Sequence, residues 1–200
     1  MTSKGGSVGL LVIVVGFTVA GLVSLSLAGL RPVASELPVY DKLGGNFELS
    51  STKEVDSLED VRGKVALLSF GFTSCTDICP MMMDKFSKVY QVMDTAKLDH
   101  KVAMFFVTVD PARDTLDVIK EYIEKFDSRI IGLTGDQETL QKVQKNLAVM
   151  SFPITGEDQW GHSDRIFLFD TESRLRAMVT LNDSVDDMAD MIQGLIAEGR

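Results

Sequence analysis

The stretch VALLSFGFTSCTDICP, residues 65–80, decides the fold. Its opening run, Val65 to Phe70, is apolar and short, the pattern of a strand buried inside a sheet. The chain then passes through Gly71, Phe72, Thr73 and Ser74 into Cys75-Thr76-Asp77-Ile78-Cys79 and reaches Pro80. Proline suits the first turn of a helix, where no amide donor is lost. The sequence has two cysteines, and both lie in this strand-to-helix junction. Thiols at a helix N-terminus stand in the field of unpaired amides, which favours thiolate, and thiolates either exchange electrons or bind soft metals. A spacing of i, i+4 in a helical turn keeps both sulfurs on one face. That spacing leaves a disulfide reachable and lets a metal be gripped from one side.

Working outward, a short strand is expected around residues 47–49, ahead of the buried strand at 65–70. A helix follows from Pro80 to about Leu98, then a second buried strand over 102–109. Asp110-Pro111-Ala112-Arg113-Asp114 leads into a helix to about Phe126, a strand over 130–133 and a helix over about 137–148. Residues 165–169 and 175–180 read as two strands joined by a turn at 170–173, and a last helix covers about 185–198. Helices alternating with strands and ending in a hairpin plus helix specify an α/β sandwich with a mixed central sheet. Cysteines on the first βα turn of such a sheet point to a thioredoxin-like fold. Thioredoxin-type redox sites use Cys-x-x-Cys, and here the loop is one residue wider.

At 200 residues and 45% hydrophobic content the chain can bury one full-sized core. The first 30 residues carry a single charge, Lys4, so residues 31–200 hold a net charge of −10. An acidic body repels phosphate backbones, which excludes nucleic acid as a natural partner and is compatible with a basic patch on a partner protein. Residues 8–30, VGLLVIVVGFTVAGLVSLSLAGL, form an uncharged run long enough to cross a bilayer, and longer than the apolar stretch of a cleaved signal peptide. The expected organisation is an N-terminal membrane anchor over 1–30, a linker over 31–43 and the globular domain over 44–200. Arg31 and Lys42 balance Lys4 across the span, so charge does not orient it. The architecture of a single N-terminal anchor places the domain on the extracytoplasmic side, in a periplasm or a mitochondrial intermembrane space.

The sequence has two histidines. His100 follows the polar end of a helix and is expected in solvent. His162 lies in the irregular segment Asp158-Gln159-Trp160-Gly161-His162-Ser163-Asp164 just before a strand, where sites are commonly built. Met81, Met82 and Met83 follow the cysteines, but successive helical positions point about 100° apart and cannot all face one ion, so packing accounts for them. Asp110 has two readings, a cap for a helix begun by Pro111 or, with Arg113, a group beside the cysteine loop. Trp160 shields a metal, docks a partner or covers the core.

Four stretches together resemble the Sco/SenC family: Gly-Phe-Thr-x-Cys-x-Asp-Ile-Cys-Pro at 71–80, Val-Thr-Val-Asp-Pro-x-Arg-Asp-Thr at 107–115, Gly-Leu-Thr-Gly at 132–135, and His-Ser before an Ile-Phe-Leu-Phe-Asp strand at 162–170. The resemblance covers about residues 36–198. It implies a membrane-anchored, thioredoxin-like copper protein that helps assemble the dinuclear copper centre of cytochrome c oxidase, with Cys75, Cys79 and His162 as the copper ligands. Two positions depart from the family pattern: Thr76 stands where proline is usual, and Gly161 where an acid is usual.

Two thiolates and one imidazole form a soft set suited to Cu(I) and tolerable for Cu(II). Zinc needs a fourth donor or an open water position, for which Asp77 and Asp164 are near in sequence. The expected function is therefore a copper chaperone, not an enzyme. It would exchange copper with a donor protein and with the copper-site subunit of the oxidase, and depend on a thiol reductant to keep its cysteines reduced. The alternative is a thiol-disulfide oxidoreductase in which Cys75 attacks and Cys79 resolves. A peroxiredoxin-type peroxidase is more distant, because Phe72 occupies the place of its expected proline. His162 separates the first two, since a dithiol enzyme has no need of it.

Overall fold

The computed structural model describes residues 37–154 and 160–199, which belong to one compact unit. In chain order its elements are β1 (Ser50–Ser51), β2 (Val65–Gly71), α1 (Ile78–Thr95), β3 (Val102–Thr108), α2 (Leu116–Ile123) and β4 (Ile131–Thr134). These are followed by α3 (Gln137–Asn146), β5 (Ser151–Pro153), β6 (Trp160–His162), β7 (Ile166–Phe169), β8 (Leu175–Val179) and α4 (Val185–Glu198). The main sheet runs β1-β4-β3-β2-β7-β8. β2, β3 and β4 are parallel, while β1 at one edge and β7 and β8 at the other are antiparallel to their neighbours. Parallel neighbours need a long crossover, and α1 supplies the one between β2 and β3.

Both central strands are buried along their whole length, because helices cover the two faces. Strand alternation divides their side chains. Val65 and Leu67 join Met82, Phe86 and Tyr90 of α1, Ile119 and Tyr122 of α2, and Met188 and Ile192 of α4. Ala66, Leu68 and Phe70 face Phe105, Phe167, Leu140 and Val143 of α3, and the incoming Phe47, Leu49 and Leu58. The cysteine loop emerges at the C-terminal end of β2, between these two cores.

Several boundaries differ from the sequence reading. Phe47 and Leu49 are buried as core anchors, but pairing with β4 begins only at Ser50 opposite Thr134. Pro111 does not start a helix: α2 begins at Leu116, with the Thr115 hydroxyl accepting from the Val118 amide, and Asp110 instead pairs with Arg113. The segment before β7 is irregular only in part: Trp160–His162 form β6, paired antiparallel with β5, and residues 163–165 are without regular structure. Part of the stretch read as linker is fastened to the domain, since Tyr40 N–H donates to Leu175 O at 3.0 Å and Arg176 Nη2 donates to Leu37 O at 2.8 Å. Among the described residues no helix is long and apolar enough to cross a membrane, and residues 8–30 lie outside them.

Candidate metal centre

β2 ends at Gly71, a position with room only for glycine. A Cβ there would stand 2.7 Å from the Phe106 ring and 2.9 Å from Cys79 Sγ, so a side chain would displace the sulfur. α1 begins at Ile78, two residues earlier than its proline, which puts Cys79 in the first turn and leaves Cys75 in the loop before it. The two cysteines therefore do not share a helical turn. They meet because the Cys79 amide donates to Cys75 Sγ at 3.4 Å, sulfur taking the role that a capping oxygen usually has. Asp77, at the N-cap position, makes no such bond. Both thiols are free; Cys75 is half-buried and Cys79 buried.

The β5–β6 hairpin carries His162 to this loop. Its Nε2 lies 3.5 Å from Cys79 Sγ, and its Nδ1 lies 2.9 Å from the carbonyl of Ser163. A carbonyl only accepts, so Nδ1 holds the proton and Nε2 turns its lone pair toward the sulfur. The ring stands edge-on to Phe72, with centroids 5.8 Å apart. Burial lowers the pKa of His162, opposed by the Ser163 carbonyl and the charge of Asp164. Burial likewise pushes the Cys79 thiol far above its usual range, only partly opposed by the backbone at Phe72. Both shifts favour the uncharged forms, thiol and imidazole.

Donors bound to one tetrahedral ion at about 2.3 Å for sulfur and about 2.05 Å for nitrogen stand about 3.5 Å apart. Cys79 and His162 already have that separation. Among the described residues no three His, Cys, Asp or Glu side chains are drawn together into a ready-made metal cluster. Cys75 lies beside the pair, its sulfur resting on the Cys79 amide.

Some supporting residues escaped the sequence reading. Asp114 is fully buried, and its carboxylate accepts from Thr73 N–H at 3.1 Å, Thr73 Oγ1 at 2.5 Å and Thr108 Oγ1 at 2.5 Å. It ties the loop that leads to Cys75 to the loop that follows β3. The Asp110-x-x-x-Asp114 spacing was visible in the sequence, but only the fold shows which strand loops it joins. Of the other residues considered, His100 is exposed, Met82 and Met83 are core, and Met81 is 55% exposed. Trp160 packs half-buried against the second core. Gly161 accommodates a neighbour, since a Cβ there would meet the Phe152 ring at 2.7 Å.

A family model described as SCO1/SenC matches residues 36–197. The chain belongs to the SCO1/SenC family. A SCO2-like protein of Rickettsia felis is 31% identical over 173 residues, covering 82% of this chain and 83% of the relative. The structure of Arabidopsis thaliana ScoI with copper bound superposes with a TM-score of 0.70 at 30% identity, over 78% of this chain and 99% of that one. Bradyrhizobium japonicum ScoI with copper bound gives a TM-score of 0.68, also at 30% identity, over 76% and 98%. The fold of this SCO1/SenC domain is accordingly thioredoxin-like. Around its His162 the hairpin exposes apolar surface: Met150 is 78% and Phe152 57% exposed, and both line a shallow cleft with Gly161, His162 and Arg165.

Proposed function

We propose that this SCO1/SenC protein is a copper chaperone that holds copper as cargo on Cys75, Cys79 and His162 and passes it on during assembly of the cytochrome c oxidase copper centre. The reading is carried by the Cys79 Sγ to His162 Nε2 approach at 3.5 Å, with the tautomer fixed by Ser163. An imidazole oriented lone pair first onto a thiol is arranged to share a metal with it once that thiol is deprotonated. Softness of the sulfur ligands favours Cu(I), and relatives of the same fold are named as copper-bound. Loading displaces the proton of Cys79 and draws Cys75 off the Cys79 amide. Release then follows by exchange of these ligands for those of the receiving protein, across the apolar rim at Met150 and Phe152. We further propose that residues 1–30 anchor the chain in a membrane, that 31–43 link it to the domain over 44–200, and that the domain is extracytoplasmic, where a thiol reductant keeps the cysteines open.

Copper titration of the reduced 36–200 fragment tests this. The expected result is one copper per chain, lost or greatly weakened in Cys75→Ala and in Cys79→Ala. His162→Ala should distort the Cu(II) absorption and resonance spectra while leaving formation of the Cys75–Cys79 disulfide intact. Unchanged copper binding in all three variants, with disulfide exchange on protein substrates, would replace the chaperone by the thiol-disulfide enzyme.

A further inference from the structure

His162 reaches the cysteine loop on a hairpin that the main sheet does not hold. Among the described residues β5 and β6 pair with each other and with no strand of the six-stranded sheet, so the imidazole is fixed only as well as β5 is attached to the rest of the domain. Gln144, in the last turn of α3, grips the chain entering β5 at two levels. Its backbone carbonyl accepts from the Leu147 amide at 3.1 Å and the Val149 amide at 2.8 Å, across a reversal in which Ala148 takes a φ of 51°. Its side-chain Oε1 accepts from Ser151 Oγ at 2.7 Å. Ser151 opens β5 and stands directly opposite His162 in the ladder.

Directly opposite residues of an antiparallel pair leave the same face, their Cβ atoms about 4.5–5.5 Å apart, so fixing the Ser151 side chain fixes the face from which the His162 ring projects. Gln144 is 4% exposed, and its Nε2 is buried with no hydrogen-bond partner among the described residues. Burying an amide with one arm unpaired is a cost that a methionine of similar length would avoid, so packing does not account for the residue. What the amide supplies, and methionine does not, is the acceptor for Ser151. We propose that Gln144 is a positioning residue for His162: through Ser151 it holds the imidazole against Cys79 before copper arrives, so that loading does not have to order the hairpin. The inference rests on the reading of His162 as a ligand and deepens it. A donor already in place loses less freedom on binding, and the saving appears as affinity.

The test is Gln144→Met and Ser151→Ala in the full-length chain, each alone, together, and combined with His162→Ala. Ser151 is half-buried, so its hydroxyl can be removed without opening the core, and that variant decides should Gln144→Met fail to fold. Copper binding is read by competition for Cu(I) against a chromophoric chelator and by the nitrogen coupling in the Cu(II) resonance spectrum; the metal-free hairpin is read by amide hydrogen exchange. Either variant is expected to weaken copper binding by about 2- to 12-fold, the worth of one neutral hydrogen bond, to disturb the nitrogen coupling, and to speed exchange in β5 and β6 relative to β2. Together they should cost no more than one alone, and with His162→Ala neither should change copper affinity further. Wild-type affinity and coupling in Ser151→Ala overturn the proposal, as does an equal loss with and without His162, which would mark general destabilisation. If His162→Ala by itself keeps wild-type affinity and coupling, the ligand assignment fails. If it loses them while Ser151→Ala does not, only the role of Gln144 fails.

Discussion

The residue that limits this site most tightly has no side chain. Gly71 lets Cys79 Sγ and the Phe106 ring close over the end of β2, and both are buried, so neither can swing away. Gly71→Ala is expected to cost about 1–3 kcal/mol in urea denaturation, as overpacking of a filled core does, and to move Cys79 Sγ off His162 Nε2. Copper affinity should fall with it, and retention of wild-type affinity would mean the sulfur has slack that the packing does not show. The three proposed ligands could be picked out from the sequence because their residue types are scarce in it, two cysteines and two histidines. Phe72 and Phe152, which meet the His162 ring and Gly161, could not: aromatic side chains are common, and these two come from segments far apart in the chain.

At the scale of elements, the site is two loops and a hairpin held at fixed distances. Asp114 is the tie between the loops, accepting three hydrogen bonds from Thr73 and Thr108. Asp114→Ala would strand those donors in a dry environment and is expected to destabilise the protein by about 3 kcal/mol or more. It should also speed alkylation of Cys75, because the loop that holds it is released; an unchanged rate would assign Asp114 to stability alone. Elements with strong local signals were legible. α4 spans the residues expected for it, opened by Ser184, whose hydroxyl accepts from the Asp187 amide. The β5–β6 hairpin was not. Its strands are three residues each, one ends in Pro153, and Gly161 weakens the other, so neither shows the alternation by which a strand is recognised. Around residues 47–49 the opposite happened: side chains alternate toward the core while the backbone pairs only from Ser50 onward.

At the scale of the whole molecule, Arg176 joins the ends of the domain. From β8 it donates to Leu37 O at 2.8 Å, to Asp170 at 3.2 Å and to Glu198 of α4 at 2.7 Å, itself only 5% exposed. Burial alone would raise the pKa of Asp170, but the Arg174 amide and the two guanidinium groups outweigh it and hold the carboxyl below its ordinary value. A depressed carboxylate contributes stability that is present above the unfolded value, near 4, and is lost as pH falls through the folded one. Asp170→Asn should therefore be least stable relative to wild type at neutral pH, and the gap should close below about pH 4; a gap constant with pH would deny the charge its role. The order of the chain has its own consequence. Cys79 and His162 are separated by 83 residues, and β7, which completes the sheet beside β2, comes later still. At roughly 5–20 residues per second, synthesis takes roughly 4–17 s to travel from one to the other. During that interval the emerging polypeptide displays two sulfurs before His162 exists to meet them. An ion captured then would lack His162, and the proposed three-donor site exists only once that residue has been made.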